Sequence, residues 1–234
     1  MTSSDDSSLS RRERERQARR EAMLRAAESV FAEKGYAHAT LEEIAERAEF
    51  GKGTLYNYFE GGKEEIFFAV VDTIYNEICD LITGSMAADN GQPLRACYHD
   101  LVLRALAFYR DREDLFVILI KEAYRMCFSH DAEKVAYFQR QQARMVDALL
   151  PRLEEAATQG VLRDLPLPAM AHLLIENIDG LIVHRAIADT HASDLDASSS
   201  GSCEHQAMLE DPEQAATFLT TMLFDGVATS TPAS

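Results

Sequence analysis

The sequence predicts an all-α protein, with an N-terminal three-helix unit of helix-turn-helix type followed by a larger helical domain. Three observations carry this expectation. Apolar residues recur at three- and four-residue intervals along most of the chain, the period of helices with one buried face. No stretch shows the sustained alternation of a strand. Residues 40–63, TLEEIAERAEFGKGTLYNYFEGGK, divide into two short helices around a tight corner. At 234 residues the chain has ample material for two cores. The expected divisions are a disordered tail over 1–10, a helix-turn-helix unit over 11–63, a helical domain over 64–227 containing a flexible loop at 190–211, and a short tail over 228–234.

Taken in order, MTSSDDSSLS is polar and lacks the apolar core of a secretion signal. RRERERQARR at 11–20 holds six arginines and two glutamates. It reads either as a charged extension of the first helix or as an arm that reaches phosphates, with Arg19 or Arg20 the arginines expected to touch nucleic acid. Thr40 precedes an apolar-periodic run and has Glu43 three positions on, a capping box that opens the second helix. Leu41, Ile44, Ala45 and Ala48 form its buried stripe. The corner falls at Glu49-Phe50-Gly51. In the third helix Leu55 and Phe59 share one face, while Lys52, Thr54, Asn57 and Tyr58, flanked by Tyr56, make another that holds no carboxylate before Glu60. Hydroxyl, amide and ammonium groups on such a face suit the major groove of DNA.

Net charge is −16, which looks hostile to DNA until it is divided. Residues 11–63 carry 11 Lys/Arg against 10 Asp/Glu, whereas 64–234 carry 12 against 27. The acid therefore lies outside the helix-turn-helix segment, where it opposes non-specific docking.

The stretch AMLRAAESVFAEKGYAHATLEEIAERAEFGKGTLYNYFEGGKEEIF resembles the N-terminal domain of TetR-type transcriptional repressors. VFAEKGY at Val30–Tyr36, the helix-opening Thr40, and KGTLYNYF at Lys52–Phe59 followed by Lys63 carry the resemblance, which covers about the first third of the chain. It implies phosphate contact at Thr40, approach to base edges by Lys52, Gly53, Thr54 and Asn57, and phosphate contact by Tyr56, Tyr58 and Lys63. It implies a core of Ala27, Phe31, Ile44, Leu55 and Phe59. The chain departs from the family pattern at three places. Glu49 stands where a corner glycine is usual, Gly51 where a hydroxyl residue often caps the recognition helix, and Glu60-Gly61-Gly62 is one residue longer than usual.

Beyond residue 63 the apolar spacing predicts a connecting helix over 64–82. Further helices are expected near 93–109, 112–128, 131–158, 167–189 and 212–227, with a kink or break at Pro151. The resemblance implies that this domain dimerises and binds a small-molecule effector. The last two helices are the candidate interface, through Leu174, Ile178 and Leu181 on one and Phe218 and Met222 on the other. Phe108, Phe116, Tyr124, Phe128, Met145, His172 and Glu176 are the candidate effector contacts, suited to an apolar or amphipathic ligand. The expected partners are thus a double-stranded DNA operator, the effector and a second copy of the chain. No segment is long and apolar enough to span a membrane, and four isolated cysteines without a secretion signal fit reduced thiols in the cytoplasm. No cofactor and no catalytic motif are read, so an enzyme is not expected. The alternative is a metal- or redox-responsive regulator using His191, Cys203 and His205.

Overall fold

The computed structural model describes residues 10–87, 91–191 and 211–226, and among them every regular element is a helix. In chain order these are α1 (Arg11–His38), α2 (Leu41–Arg47), α3 (Lys52–Tyr58), α4 (Gly62–Met86), α5 (Leu94–Arg110), α6 (Glu113–Cys127), α7 (Ala132–Thr158), α8 (Leu167–His191) and α9 (Pro212–Phe224). The chain forms two compact units, Met1–Ile74 and Tyr75–Ser234, so the division falls within α4.

The first unit is built on α1. Its inward stripe of Met23, Ala27, Val30 and Phe31 meets Ile44 of α2, Leu55 of α3, Phe59, and Ile66 and Phe67 of α4; all are essentially inaccessible to solvent. The ring of Phe67 packs edge-on to Phe31 and Tyr36, with centroids 6.1 and 4.8 Å away. Gly35, at φ 75° and ψ 157°, interrupts the helical conformation of α1 near its end. Outside the core, Arg47 of α2 grips both Glu33 carboxylate oxygens and donates to Ser29 Oγ at 2.6 Å, and Lys34 pairs with Glu43. These exposed pairs fix the angle between α1 and α2 more than they add stability.

In the second unit, α7 lies along α8 and α9 lies on α5. The shared core gathers Ile82, Tyr98, Leu101, Leu149, Leu153, Ile175 and Leu219, among others. Tyr98 is fully buried and donates its phenolic proton to the Leu174 carbonyl at 2.8 Å, so its one polar atom is satisfied inside the core. Arg95 of α5 reaches Asp225, just beyond α9, at 3.0 Å. Pro151 does not break its helix, contrary to one of the sequence expectations: α7 runs through it from Ala132 to Thr158. Proline leaves the carbonyl four residues back, at Asp147, without its helical donor. Both residues are exposed, so water can take that carbonyl, while Leu149 and Leu153 anchor the helix from its other side.

Candidate nucleic-acid interface

The site is laid out by caps and by the corner. Thr40 Oγ1 accepts from the Glu43 amide at 3.3 Å, and Glu43 Oε2 accepts from the Thr40 amide at 3.1 Å, so the predicted capping box starts α2. The corner turns on Glu49, whose φ of 60° is left-handed, a conformation that costs a side chain about 1 kcal/mol. Gly51 then caps α3 without a side-chain hydrogen bond. With Leu55 and Phe59 each 1 % exposed, α3 is held by one side only. Lys52, Gly53, Tyr56 and Asn57 project into solvent, and Thr54 and Tyr58 are half-buried at the margin.

Two predicted phosphate or base contacts are engaged within the chain itself. The Lys52 ammonium pairs with Glu42 of α2 and lies 6.0 Å from the Tyr56 ring centroid. Glu42 holds the Lys52 proton more firmly than usual, and Lys52 in turn keeps the Glu42 carboxyl below the ordinary carboxylate range. DNA must therefore displace Glu42 to reach Lys52. Glu42→Gln is expected to tighten DNA binding, up to about fivefold for an exposed pair, in a fluorescence-anisotropy titration; an unchanged affinity would place Lys52 outside the contact.

Lys63 points elsewhere than the resemblance implies. Its Nζ donates to the carbonyls of Tyr36 at 2.8 Å, Ala37 at 3.2 Å and Ala39 at 3.0 Å, and lies 4.7 Å from the Tyr36 ring centroid. The longer Glu60-Gly61-Gly62 link, with Gly62 at φ 67°, brings the lysine in against the end of α1. All three ammonium protons are used there, so a phosphate contact would need some of these bonds released. Lys63→Met should accordingly lower stability, by about 1.5–2 kcal/mol for lost hydrogen bonds to a charged group. Urea unfolding followed by circular dichroism measures this; a loss of DNA affinity at full stability would return Lys63 to the phosphate role.

The proposed effector contacts in the second unit differ in their surroundings. Phe108 and Phe116 pack edge to face at 5.4 Å, and Met145 belongs to the core. Tyr124 and Phe128 stack at 6.2 Å on the surface, where Phe128 is 82 % exposed. His172 and Glu176 lie on the open side of α8, with Glu176 accepting from Gln142. Asp179, near His172 and Glu176 on α8 in the sequence reading too, is half-buried, as is Tyr75 of α4. Burial first, and then the Glu176 carboxylate, push Asp179 up to about 7. The Tyr75 phenol is raised by burial and by Asp179, Cys127, Cys79 and Glu176. On sequence alone nothing sets Tyr75 apart from the other residues of the connecting helix. Of the candidate dimer residues, Leu174 and Ile178 turn into their own unit's core, 6 % exposed each. Leu181 and Met222 are half-buried, while Phe218 and Leu223 of α9 and Leu173 of α8 are exposed.

Residues 23–70, which contain α2, α3 and the core that supports them, match the family described as bacterial regulatory proteins, tetR family. The chain is thus similar, over residues 23–70, to the N-terminal domain of the TetR family. Among its relatives, the HTH-type transcriptional activator FasR of Mycolicibacterium smegmatis is 33 % identical over 121 residues, 50 % of this chain and 48 % of that protein. The chain thus spans about half the length of that relative. The HTH-type transcriptional repressor NicS of Pseudomonas putida is 26 % identical over 68 % of this chain and 73 % of its own length. The fold is shared with the transcriptional regulator FadR of Bacillus subtilis in complex with stearoyl-CoA, at TM-score 0.64 and 16 % identity over 88 % of this chain and 98 % of that one.

Proposed function

We propose that this chain is a TetR-family DNA-binding transcriptional regulator that acts in the cytoplasm as a homodimer, most simply a repressor released from its operator by a small effector. The observation that carries the reading is the asymmetry of α3. Leu55 and Phe59 fasten it from behind, while Gly53, Tyr56 and Asn57 face solvent and the exposed Lys52, held by Glu42, lies beside Tyr56. Thr40, Thr54 and Tyr58 border this face and are assigned to phosphate and groove-edge contacts. One such helix reads few base pairs, and a two-fold axis doubles the readout. The exposed side of α8 and α9, with Leu173, Phe218 and Leu223, offers apolar surface for that pairing.

The effector is read as apolar or amphipathic, as is the acyl-CoA bound by the structurally similar FadR. Its polar end is assigned to Tyr75 and Asp179, whose perturbed titration marks them as a candidate site. An effector releases DNA only so far as it prefers the non-binding arrangement, typically ~1–3 kcal/mol of coupling. The alternative metal or redox reading gains no support: the side chain of His191, together with Cys203 and His205, lies outside the described residues. Among the described residues no group of three His, Cys, Asp or Glu side chains is placed to hold a metal. Nor is any helix there long and apolar enough to cross a membrane.

Selection of bound duplexes from a random pool tests the reading directly. The wild-type chain should enrich a two-fold symmetric sequence, and Tyr56→Ala and Lys52→Ala should lose that enrichment. Correctly folded wild-type protein that enriches nothing would overturn it.

A further inference from the structure

We propose that the arginine-bearing face of the first turns of α1, with Arg12, Arg16, Arg19 and Arg20, is a second DNA-contacting surface that takes backbone phosphates flanking the bases read by α3. This rests on α3 being the recognition helix.

Order comes first. α1 begins at Arg11 because Ser10 caps it: Ser10 Oγ accepts from the Glu13 amide at 3.3 Å, and Glu13 Oε2 accepts from the Ser10 amide at 2.7 Å. The arginines are therefore carried on a helix rather than on a loose arm, and their ordering entropy is already spent in the free protein.

Position follows. The Arg16 guanidinium lies 5.7 Å from the Tyr58 ring centroid, and that of Arg20 lies 5.2 Å from the Phe59 centroid. These two contacts seat the face beside the C-terminal end of α3. At 3.6 residues per turn, Arg12, Arg16, Arg19 and Arg20 fall within about 100° of arc, so they share one side of the helix. A duplex lying against α3 would run past this row.

The charge on that side is basic. The three carboxylates of the segment are engaged: Glu13 with the Ser10 amide, Glu15 with Arg11 at 2.9 Å, and Glu21 with the Gln17 amide at 2.9 Å. The four arginines make no ion pair among the described residues. In a chain of net charge −16, four guanidinium groups without a carboxylate partner among the described residues, on one side of one helix, concentrate positive charge beside α3. A merely solvated helix face in an acidic protein has no need of such a concentration.

Arg12 and Arg19 are not stacked on α3 rings, so they can be changed without disturbing Tyr58 or Phe59. The experiment is an anisotropy titration of full-length protein on a mixed-sequence duplex over a range of salt, comparing wild type with R12Q/R19Q and R12K/R19K. Each lost phosphate contact lowers the slope of log affinity against log salt by about 0.9. R12Q/R19Q should therefore lose roughly 1–2 units of slope and bind more weakly at low salt, while R12K/R19K restores the slope. Unchanged helicity by circular dichroism shows that α1 is intact. A duplex trimmed to the bases under α3 should erase the difference between variant and wild type. Equal slopes for wild type and R12Q/R19Q on the long duplex overturn the proposal and leave the reading of α3 standing. Failure of the wild type to bind any duplex overturns both.

Discussion

Gly53→Ala is expected to weaken DNA binding by about 5- to 150-fold, the worth of one good base contact, while leaving the protein at least as stable. A Cβ built on Gly53 meets nothing within 4 Å, and the residue is exposed in the first turn of α3. Glycine in a helix costs up to about 1 kcal/mol relative to alanine, so nothing inside the chain favours it there. Its use must lie in what approaches from outside. A methyl group at that point holds the α3 backbone away from the groove floor and lengthens the contacts of Lys52, Tyr56 and Asn57 together. Most substitutions that impair a regulator also impair its fold; this one separates the two effects. Thermal unfolding and anisotropy on the selected operator measure them. Alanine with full affinity would show that Gly53 faces no close partner, and the assignment of this face to the major groove would fall with it.

The parts of the molecule that sequence reveals are those fixed by local period. Leu55 and Phe59, four apart, could only bury together; once they do, Lys52, Tyr56 and Asn57 must face outward. Thr40 and Glu43 announce a helix start through two hydrogen bonds set by spacing alone. Ser10 and Glu13 carry the same signal, masked by the polar tail before them. Lys63 shows where period stops helping. Its direction depends on one additional residue in the preceding link and on three carbonyls more than twenty positions away. In the second unit, helical spacing identifies stripes without saying which helix lies opposite. Leu173 is 60 % exposed and Leu174 is 6 % exposed, a rotation of one residue that separates candidate interface from core. The aromatic candidates for an effector site scatter for the same reason, since Phe116 and Phe128 belong to one helical run yet meet a core and open solvent.

Asp179→Asn is expected to stabilise the protein at pH 8 by about 2–4 kcal/mol and to leave it nearly unchanged at pH 4, at 1.36 kcal/mol per pKa unit. Burial, reinforced by Glu176, raises the carboxyl from an ordinary 3.8 to about 7 in the folded chain. Below pH 4 both folded and unfolded forms hold the proton, and the group contributes no difference. Between about 4 and 7 the unfolded chain ionises while the folded one stays neutral, so the folded state binds more protons and stability falls as pH rises. Above 7 the folded chain must carry a carboxylate beside Tyr75 and Glu176, and the full penalty is present. Asparagine keeps the shape of the neutral acid and has no proton to lose. The wild type should therefore show a falling melting temperature from pH 4 to 8 that the variant lacks, with other groups contributing equally to both. Parallel curves would mean that the Asp179 carboxylate is well solvated, and its assignment to the effector's polar end would lose its basis. A wild-type slope that disappears in the variant would identify a side chain whose ionisation opposes folding at the pH of the cell, one that a bound molecule able to donate a hydrogen bond or a positive charge would relieve.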